Sequence, residues 1–276
     1  MPNQTARPRP TLLRALGAAD PPAEIVVDGQ TYERVELFKH DSWAATAVYD
    51  SGSQRIVCKF NRTQPIFGFP MLWLGKRLAA RERRILEKLA DLPGIPNPCG
   101  PIHADGRVLP NAAGHAFVSG HPLGKHEIMS PRFFSELRET ILAMHSRGIA
   151  HVDLHKRENV IVGDDGRPYL IDFQISFDVT HPRVRWIAGI RAVFDLLCEG
   201  DHYHLAKHVR RNTPDGKAVP KRRPPQWLQL HRLAAVPFRE LRRRLLVARG
   251  VRLGRGSVTT EAYAEDAFRR EVSKAA

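Results

Sequence analysis

The sequence predicts an α+β fold, with a small antiparallel sheet first and a mainly helical half after it. Three observations carry this expectation. Between Glu24 and Val118, short runs rich in Val, Ile, Tyr and Phe are cut by Gly, Asp and Ser, the pattern of strands joined by turns. Beyond Ser130, apolar residues recur at helical spacing. Between two helical stretches stands GIAHVDLHKRENVIVGDDGRPYLIDFQIS, from Gly148 to Ser176, where His, Asp and Asn gather around a tight hairpin.

Residues 1–23 are polar with five prolines and are expected to form a flexible arm. Strands follow at 25–27, 32–38, 43–49 and 55–60, separated by turns at Asp28-Gly29 and Ser51-Gly52-Ser53. In the last of these Ile56, Cys58 and Phe60 alternate to one face, leaving Val57 and Lys59 on the other. A helix then carries Leu78, Ile85, Leu86 and Leu89 as an apolar stripe, and Glu82 falls inside it. A carboxylate buried there needs a cation, since leaving it unpaired costs several kcal/mol. Lys59 is the obvious partner; Glu87, the rival acid, is placed to pair with Arg83 on the surface. The dense apolar run from Pro65 to Gly75 reads as core or, if exposed, as an interaction or membrane-contact patch.

Two further strands are expected near 101–104 and 115–118. Ser130 can cap the next helix, with Pro131 in its first turn, Phe134, Leu137, Ile141 and Leu142 on its buried face, and Gly148 at its end. Residues 159–162 and 168–171 read as two strands around the turn Gly163–Gly166. A later apolar helix contains Val184, Ile187, Phe194 and Leu197. Cys198, His202, His204 and His208 admit a zinc reading, but their spacing and their Arg and Lys neighbours favour a solvated face.

Phosphoryl transfer from ATP needs a group that accepts or orients the attacking hydroxyl, and oxygen ligands that hold Mg²⁺ against the phosphates. Asp153, two residues after His151, suits the first task. Asn159 and Asp172 suit the second, because Mg²⁺ takes one or two carboxylate or amide oxygens together with phosphate. The hairpin between them would fix both ligands at once.

On these residues the chain resembles the protein-kinase superfamily. His151-Val152-Asp153-Leu154 followed by Asn159, then Asp172-Phe173-Gln174, is similar to its catalytic loop and metal-binding Asp-Phe-Gly. Five residues separate Asp153 from Asn159 where the family has four, which leaves Glu158 as an alternative ligand, and Gln174 stands in place of the glycine. The resemblance implies a two-lobed protein-kinase-like fold, with a small antiparallel-sheet N-lobe over residues 24–118 and a mainly helical C-lobe over residues 119–212. It implies ATP and Mg²⁺ as cofactors, with Asp153 catalytic and Asn159 and Asp172 on the metal. Lys59, oriented by Glu82, would face the α- and β-phosphates, beside Val57 on the same face of the strand. The turn holding Ser42 and Ala44 would cover the phosphates, although it lacks the family's glycines, and adenine would meet backbone groups near Val118 and Gly120. His151 is implied to be structural.

Ala80-Arg81-Glu82, Leu92-Pro93-Gly94-Ile95-Pro96 and the segment Asp201–His208 look, more narrowly, like bacterial kinases of lipopolysaccharide core sugars, heptose or Kdo. No long activation segment ending in Ala-Pro-Glu follows Ser176, and Asp153-Leu154-His155 is similar to sugar and antibiotic kinases. The expected acceptor is therefore a hydroxyl of a glycolipid sugar.

The 276 residues, 42% hydrophobic and 26% charged, form an ordinary globular composition. The three cysteines are far apart, which argues against a disulfide framework, and no apolar leader opens the chain, so a cytoplasmic protein is expected. Net charge is +14, and between Lys207 and Arg255 fifteen Lys or Arg stand against two acids. Residues 213–276 thus read as a basic helical tail, in which Phe238, Leu241 and Leu245 share a face opposite arginines. That tail suits the anionic inner face of a membrane, or packing on the helical lobe. Two other readings stay open: a compact serine/threonine protein kinase whose tail binds RNA at the ribosome, and a non-catalytic pseudokinase scaffold.

Overall fold

A computed structural model describes residues 11–66, 68–125, 127–218, 220 and 223–227. The fold is α+β, with a seven-stranded antiparallel sheet and, among the described residues, three α-helices. The described chain divides into two compact units: residues 11–80 with Cys99–Phe117, and Arg81–Pro98 with the residues from Val118 on.

The first unit is built on strands β1 (Glu24–Val27), β2 (Gln30–His40), β3 (Ala44–Asp50), β4 (Arg55–Asn61), β5 (Ile102–Ala104), β6 (Arg107–Val108) and β7 (Ala112–Ala116), in spatial order β6-β5-β1-β2-β3-β4-β7. One face buries Ile25, Val27, Tyr49, Ile56, Cys58, Phe60 and Ile102. Alternation along β4 leaves Val57 and Lys59 on the opposite, half-buried face. β7 lies a few residues earlier than the expected 115–118, because small residues are needed beside β4: a Cβ on Gly114 would come within 3.1 Å of the Val57 carbonyl. The short edge strand β6 was not anticipated.

The expected flexible arm is corrected from Thr11 onward. The Ala15 amide donates to the Asp41 carbonyl at 2.7 Å, the Ala15 carbonyl accepts from Thr63, and the Tyr49 hydroxyl donates to the Pro22 carbonyl. Residues 11–23 therefore pack on the sheet; residues 1–10 lie outside the described part.

Helix α1 (Leu72–Leu89) begins in the first unit and continues into the second. It starts a full turn and more before the apolar stripe that predicted it, absorbing Leu72–Gly75 from the end of the Pro65–Gly75 run. Its second half contributes Ile85, Leu86 and Leu89 to a core with Phe133, Leu137, Ile141, Leu170 and Phe173.

In the second unit, α2 (Pro131–Ser146) is capped by Ser130, whose hydroxyl accepts the Phe133 amide at 3.2 Å. Gly148 follows at φ +75°, where a side chain would be strained. Leu142, expected inside, is 43% exposed, because the buried stripe runs through Phe134, Leu137, Ile141 and Met144, and Leu142 lies about a hundred degrees off it. Strands β8 (Gly120–Pro122), β10 (Val160–Gly163) and β11 (Pro168–Leu170) form one small sheet, and β9 (Ile149–Ala150) pairs with β12 (Phe177–Asp178). Helix α3 (Ile190–Asn212) closes the unit. Val184 and Ile187, expected within this helix, lie in the turns before it, since Gly189 at φ +77° marks its start.

Among the described residues no helix is long and apolar enough to cross a membrane. Phe238, Leu241, Leu245 and nearly all of the basic tail lie outside the described residues.

Candidate functional site

The second unit brings Asp153, Asn159 and Asp172 together by backbone pairing. Leu170 pairs with Val160 across β10 and β11, and one step beyond it the Ile171 amide donates to the Asn159 carbonyl at 3.1 Å. Asp172 is thus held one residue from Asn159's partner.

The loop before β10 contains the additional residue without a break. Lys156 donates its amide to the Asp153 carbonyl, and a short 3-10 turn (Arg157–Asn159) brings the chain back. Asn159 is buried, and its Nδ2 donates to the Asp153 carbonyl at 3.1 Å and to Asp153 Oδ2 at 3.2 Å. Glu158 is exposed. Arg157 anchors the same turn by donating to the Leu123 carbonyl at 2.9 Å.

Asp153 is buried at 3% exposure, with His155 Nδ1 at 3.0 Å from one carboxylate oxygen and Lys156 Nζ at 2.7 Å from the other. Burial pushes its carboxyl up, but hydrogen bonds and charge from His155 and Lys156 outweigh it and hold the pKa below the usual carboxylate value. The group is ionised at neutral pH, as an acceptor of a hydroxyl proton must be.

The backbone on each side of the site is strained. Val152 has φ +70° and Asp172 φ +67°. A β-branched residue in the left-handed region is a genuine outlier, costing on the order of 1–3 kcal/mol, and persists only where its surroundings enforce it. Asp201, in the middle of α3, does the enforcing. It is 1% exposed, and its carboxylate accepts the amides of His151 at 2.7 Å and Val152 at 2.9 Å, and His145 Nε2 at 3.0 Å. His151 is wholly buried against Phe173, with Nε2 donating to the Ile171 carbonyl and Nδ1 accepting the Asp153 amide. One histidine thereby ties the loop bearing Asp153 to the strand end bearing Asp172.

Asp201 was not among the residues picked from the sequence. It lies in the buried stripe Phe194, Asp201, Leu205, His208, and the reasoning that singled out Glu82 as a carboxylate inside an apolar stripe applies to it equally.

Two histidines of α3, expected on a solvated face, are instead buried against the loop, because its backbone and His155 pack over them. His208 Nε2 donates to the Leu154 carbonyl at 2.7 Å, and His204, buried, lies 5.8 Å from the His155 ring. Burial lowers the pKa of both, His204 to about 4. Among the described residues no cluster of His, Cys, Asp and Glu has the arrangement of a metal site.

The remaining sequence-selected residues are placed as follows. Lys59 sits on β4 between Thr46 of β3 and Ala113 of β7, with Val57 two residues before it on the same face. Glu82 is 3% exposed on α1, while Glu87 is exposed and 3.9 Å from Arg83. Ser42 donates its hydroxyl to the Leu13 carbonyl, and the Trp43 and Ala44 amides are taken by the Asp41 carboxylate at 2.6 and 3.0 Å. The turn expected to offer backbone donors to phosphate thus has two of them engaged by its own acid. Val118 lies in the segment joining β7 to β8. Gly120 is a β8 residue at φ +149°, so close to β10 that a Cβ would approach the Val162 carbonyl to 2.1 Å.

Asn159 commits Nδ2 to Asp153, which leaves Oδ1 as the atom that could meet a cation, and an amide oxygen and the carboxylate of Asp172 are oxygen donors of the type Mg²⁺ takes. No protein-family model matches the chain, and no curated protein matches it.

Proposed function

We propose that the chain is an ATP-dependent phosphotransferase of the protein-kinase-like superfamily, two-lobed, with the sheet-bearing unit as the small lobe. The acceptor is a hydroxyl of a glycolipid sugar such as those of lipopolysaccharide core. The observation that carries this reading is the Asp153–Asn159 contact beside Asp172, with a strained residue at each end.

In this reading Asp153 receives or orients the proton of the attacking hydroxyl, and its ionised state and two-sided hydrogen bonding fix the direction of its oxygens. Lys156, against the same carboxylate, supplies positive charge where the transferring phosphoryl group gathers negative charge. Asn159 and Asp172 would hold Mg²⁺, which when bound would neutralise phosphate charge. Asp201 and His151 are positioning residues: they keep Asp153 and Asp172 in register. Lys59, on the resemblance to the superfamily, would serve the phosphates of ATP.

Two features support an amphiphilic acceptor over a peptide. Only the turns between β12 and α3 occupy the place of an activation segment. The surface there is apolar and basic, with Trp186, Ile187, Val193 and Leu196 exposed among Arg183, Arg185 and Arg191. The deciding experiment is transfer of labelled phosphate from ATP to extracted glycolipid, with general protein substrates and the enzyme itself in parallel. Label in the protein substrates alone would favour the compact protein kinase.

One observation favours a second reading, the non-catalytic scaffold. Asp41 occupies the Trp43 and Ala44 amides, and a phosphate would have to displace it. Absence of Mg·ATP binding in a thermal-shift titration would select that reading.

A further inference from the structure

Large apolar side chains leading into and opening α1 are exposed, as is Trp43 in the turn between β2 and β3. Phe69 is 73% exposed, Trp73 56%, Trp43 46% and Leu72 40%. Arg62 ties together backbone next to these positions. Its guanidinium donates to the carbonyls of Ser42 at 2.6 Å, Gln64 at 2.8 Å and Pro65 at 3.1 Å, and its amide donates to the Trp43 carbonyl at 2.9 Å. Its own carbonyl lies where a Cβ on residue 75 would come within 2.5 Å, so Gly75 allows the first turn of α1 to close on the same residue. Ile66 and Phe69 exchange backbone hydrogen bonds at 3.1 and 2.9 Å, which sets Phe69 just ahead of Leu72.

On α1 the exposed positions Leu72, Trp73, Lys76 and Arg77 form one face, while Gly75, Ala79 and Glu82 are buried. No acid occurs between Leu72 and Arg81, whereas Lys76, Arg77 and Arg81 do. Cations near a helix start gain nothing from the helix dipole, so local helix stability does not account for them.

We propose that this face of the sheet-bearing unit, formed by Trp43, Phe69, Leu72 and Trp73 with Lys76 and Arg77, binds the surface of an anionic lipid bilayer. Tryptophan is suited to the water–lipid boundary, because its ring is apolar and its N–H remains solvated there. Neighbouring lysine and arginine attract anionic headgroups, and a few large apolar side chains inserted beside them strengthen the contact. The charge selects this occupant over a second copy of the chain, because a two-fold contact through the patch would set like cations against one another. The patch consists of described residues only, and its contact with a bilayer does not depend on phosphate transfer.

The test uses the full chain and its four tryptophans, Trp43, Trp73, Trp186 and Trp227, as reporters. Fluorescence is measured on vesicles of phosphatidylcholine and phosphatidylglycerol in which some acyl chains are brominated. Wild type should be quenched. The Trp43→Phe/Trp73→Phe variant should lose most of the quenching, and Trp186→Phe/Trp227→Phe should keep it. Lys76→Glu/Arg77→Glu should weaken vesicle binding by about ten-fold or more, as expected when headgroup attractions are reversed. All of these positions except Trp227 are exposed or nearly so, and an unchanged circular dichroism spectrum checks the fold. Absence of quenching in wild type overturns the proposal. So does quenching that persists without Trp43 and Trp73, or vesicle binding that leaves both unquenched, as binding through the basic segment alone would give.

Discussion

Asp201 accepts the backbone amide of His151 at 2.7 Å across fifty residues of sequence, and with the same carboxylate it holds Val152 in a left-handed conformation. The strained residue immediately precedes Asp153. Positioning of the proposed catalytic carboxylate therefore depends on a side chain from the middle of α3.

Replacing Asp201 by Asn keeps the shape but leaves one good acceptor where two amides and a histidine N–H converge. Losing hydrogen bonds to a buried charged acceptor costs about 1–3 kcal/mol. Asp201→Asn should lower unfolding stability in urea by that amount, and Asp201→Ala by more. Any phosphate transfer should fall in Asp201→Asn with little change in Mg·ATP affinity, because the variant disturbs Asp153 through its neighbours. Unchanged stability in both variants would show that Val152 is held by something else.

Asp153→Asn and Asp172→Asn should each abolish transfer, while only the second strongly weakens Mg·ATP binding. The difference follows from their roles, one facing the acceptor and the other the metal. A thermal-shift titration with Mg·ATP separates them, and equal loss of binding in both would mean that the roles are wrongly divided.

Asn159→Ala should raise the Mg²⁺ concentration needed for activity more than Glu158→Ala does. Asn159 is buried against Asp153, whereas Glu158 points to solvent. A Mg²⁺ titration of the two variants decides this, and a larger shift for Glu158→Ala would move the ligand by one residue.

Acid should destabilise the protein through His204. Burial lowers its pKa from 6.5 to about 4, so the folded state holds it neutral while the unfolded chain protonates below about 6.5. Stability from this group is fully present above the unfolded value and is lost as pH falls to the folded one, a loss on the order of 3 kcal/mol. Urea unfolding at several pH values should show this slope in wild type, and His204→Phe should flatten it. An unaltered slope in the variant would assign the acid sensitivity to other groups.

Much of the candidate cluster was legible in the sequence, because Asn159 and Asp172 flank one hairpin and Asp153 lies in the loop just before it. The Asp153–Asn159–Asp172 spacing, the Gly163–Gly166 turn and the Ser130 cap are local features, and local spacing is what periodicity and turn chemistry report. Two of the misses were boundaries: α1 was read to begin after the apolar run, and Val184 and Ile187 were read into α3. At α1 an apolar run read as core or as an exposed patch hid the helix start, and at α3 the apolar Val184 and Ile187 were taken for part of the helical stripe. Asp201 escaped because its partners lie about fifty residues away and are backbone amides, which carry no sequence identity. The packing of residues 11–23 was missed for the same reason, since the Ala15 backbone bonds to Asp41 and Thr63.

The central claim is that Asp153 serves phosphoryl transfer from ATP to a lipid-linked sugar hydroxyl. Its most direct test incubates the purified full chain with γ-labelled ATP, Mg²⁺ and extracted lipopolysaccharide, with Asp153→Asn alongside, and counts label in the lipid fraction. Wild type should label the lipid in proportion to time and enzyme, and Asp153→Asn should leave it at background. Equal labelling by both, or none from wild type that binds Mg·ATP, would contradict the account.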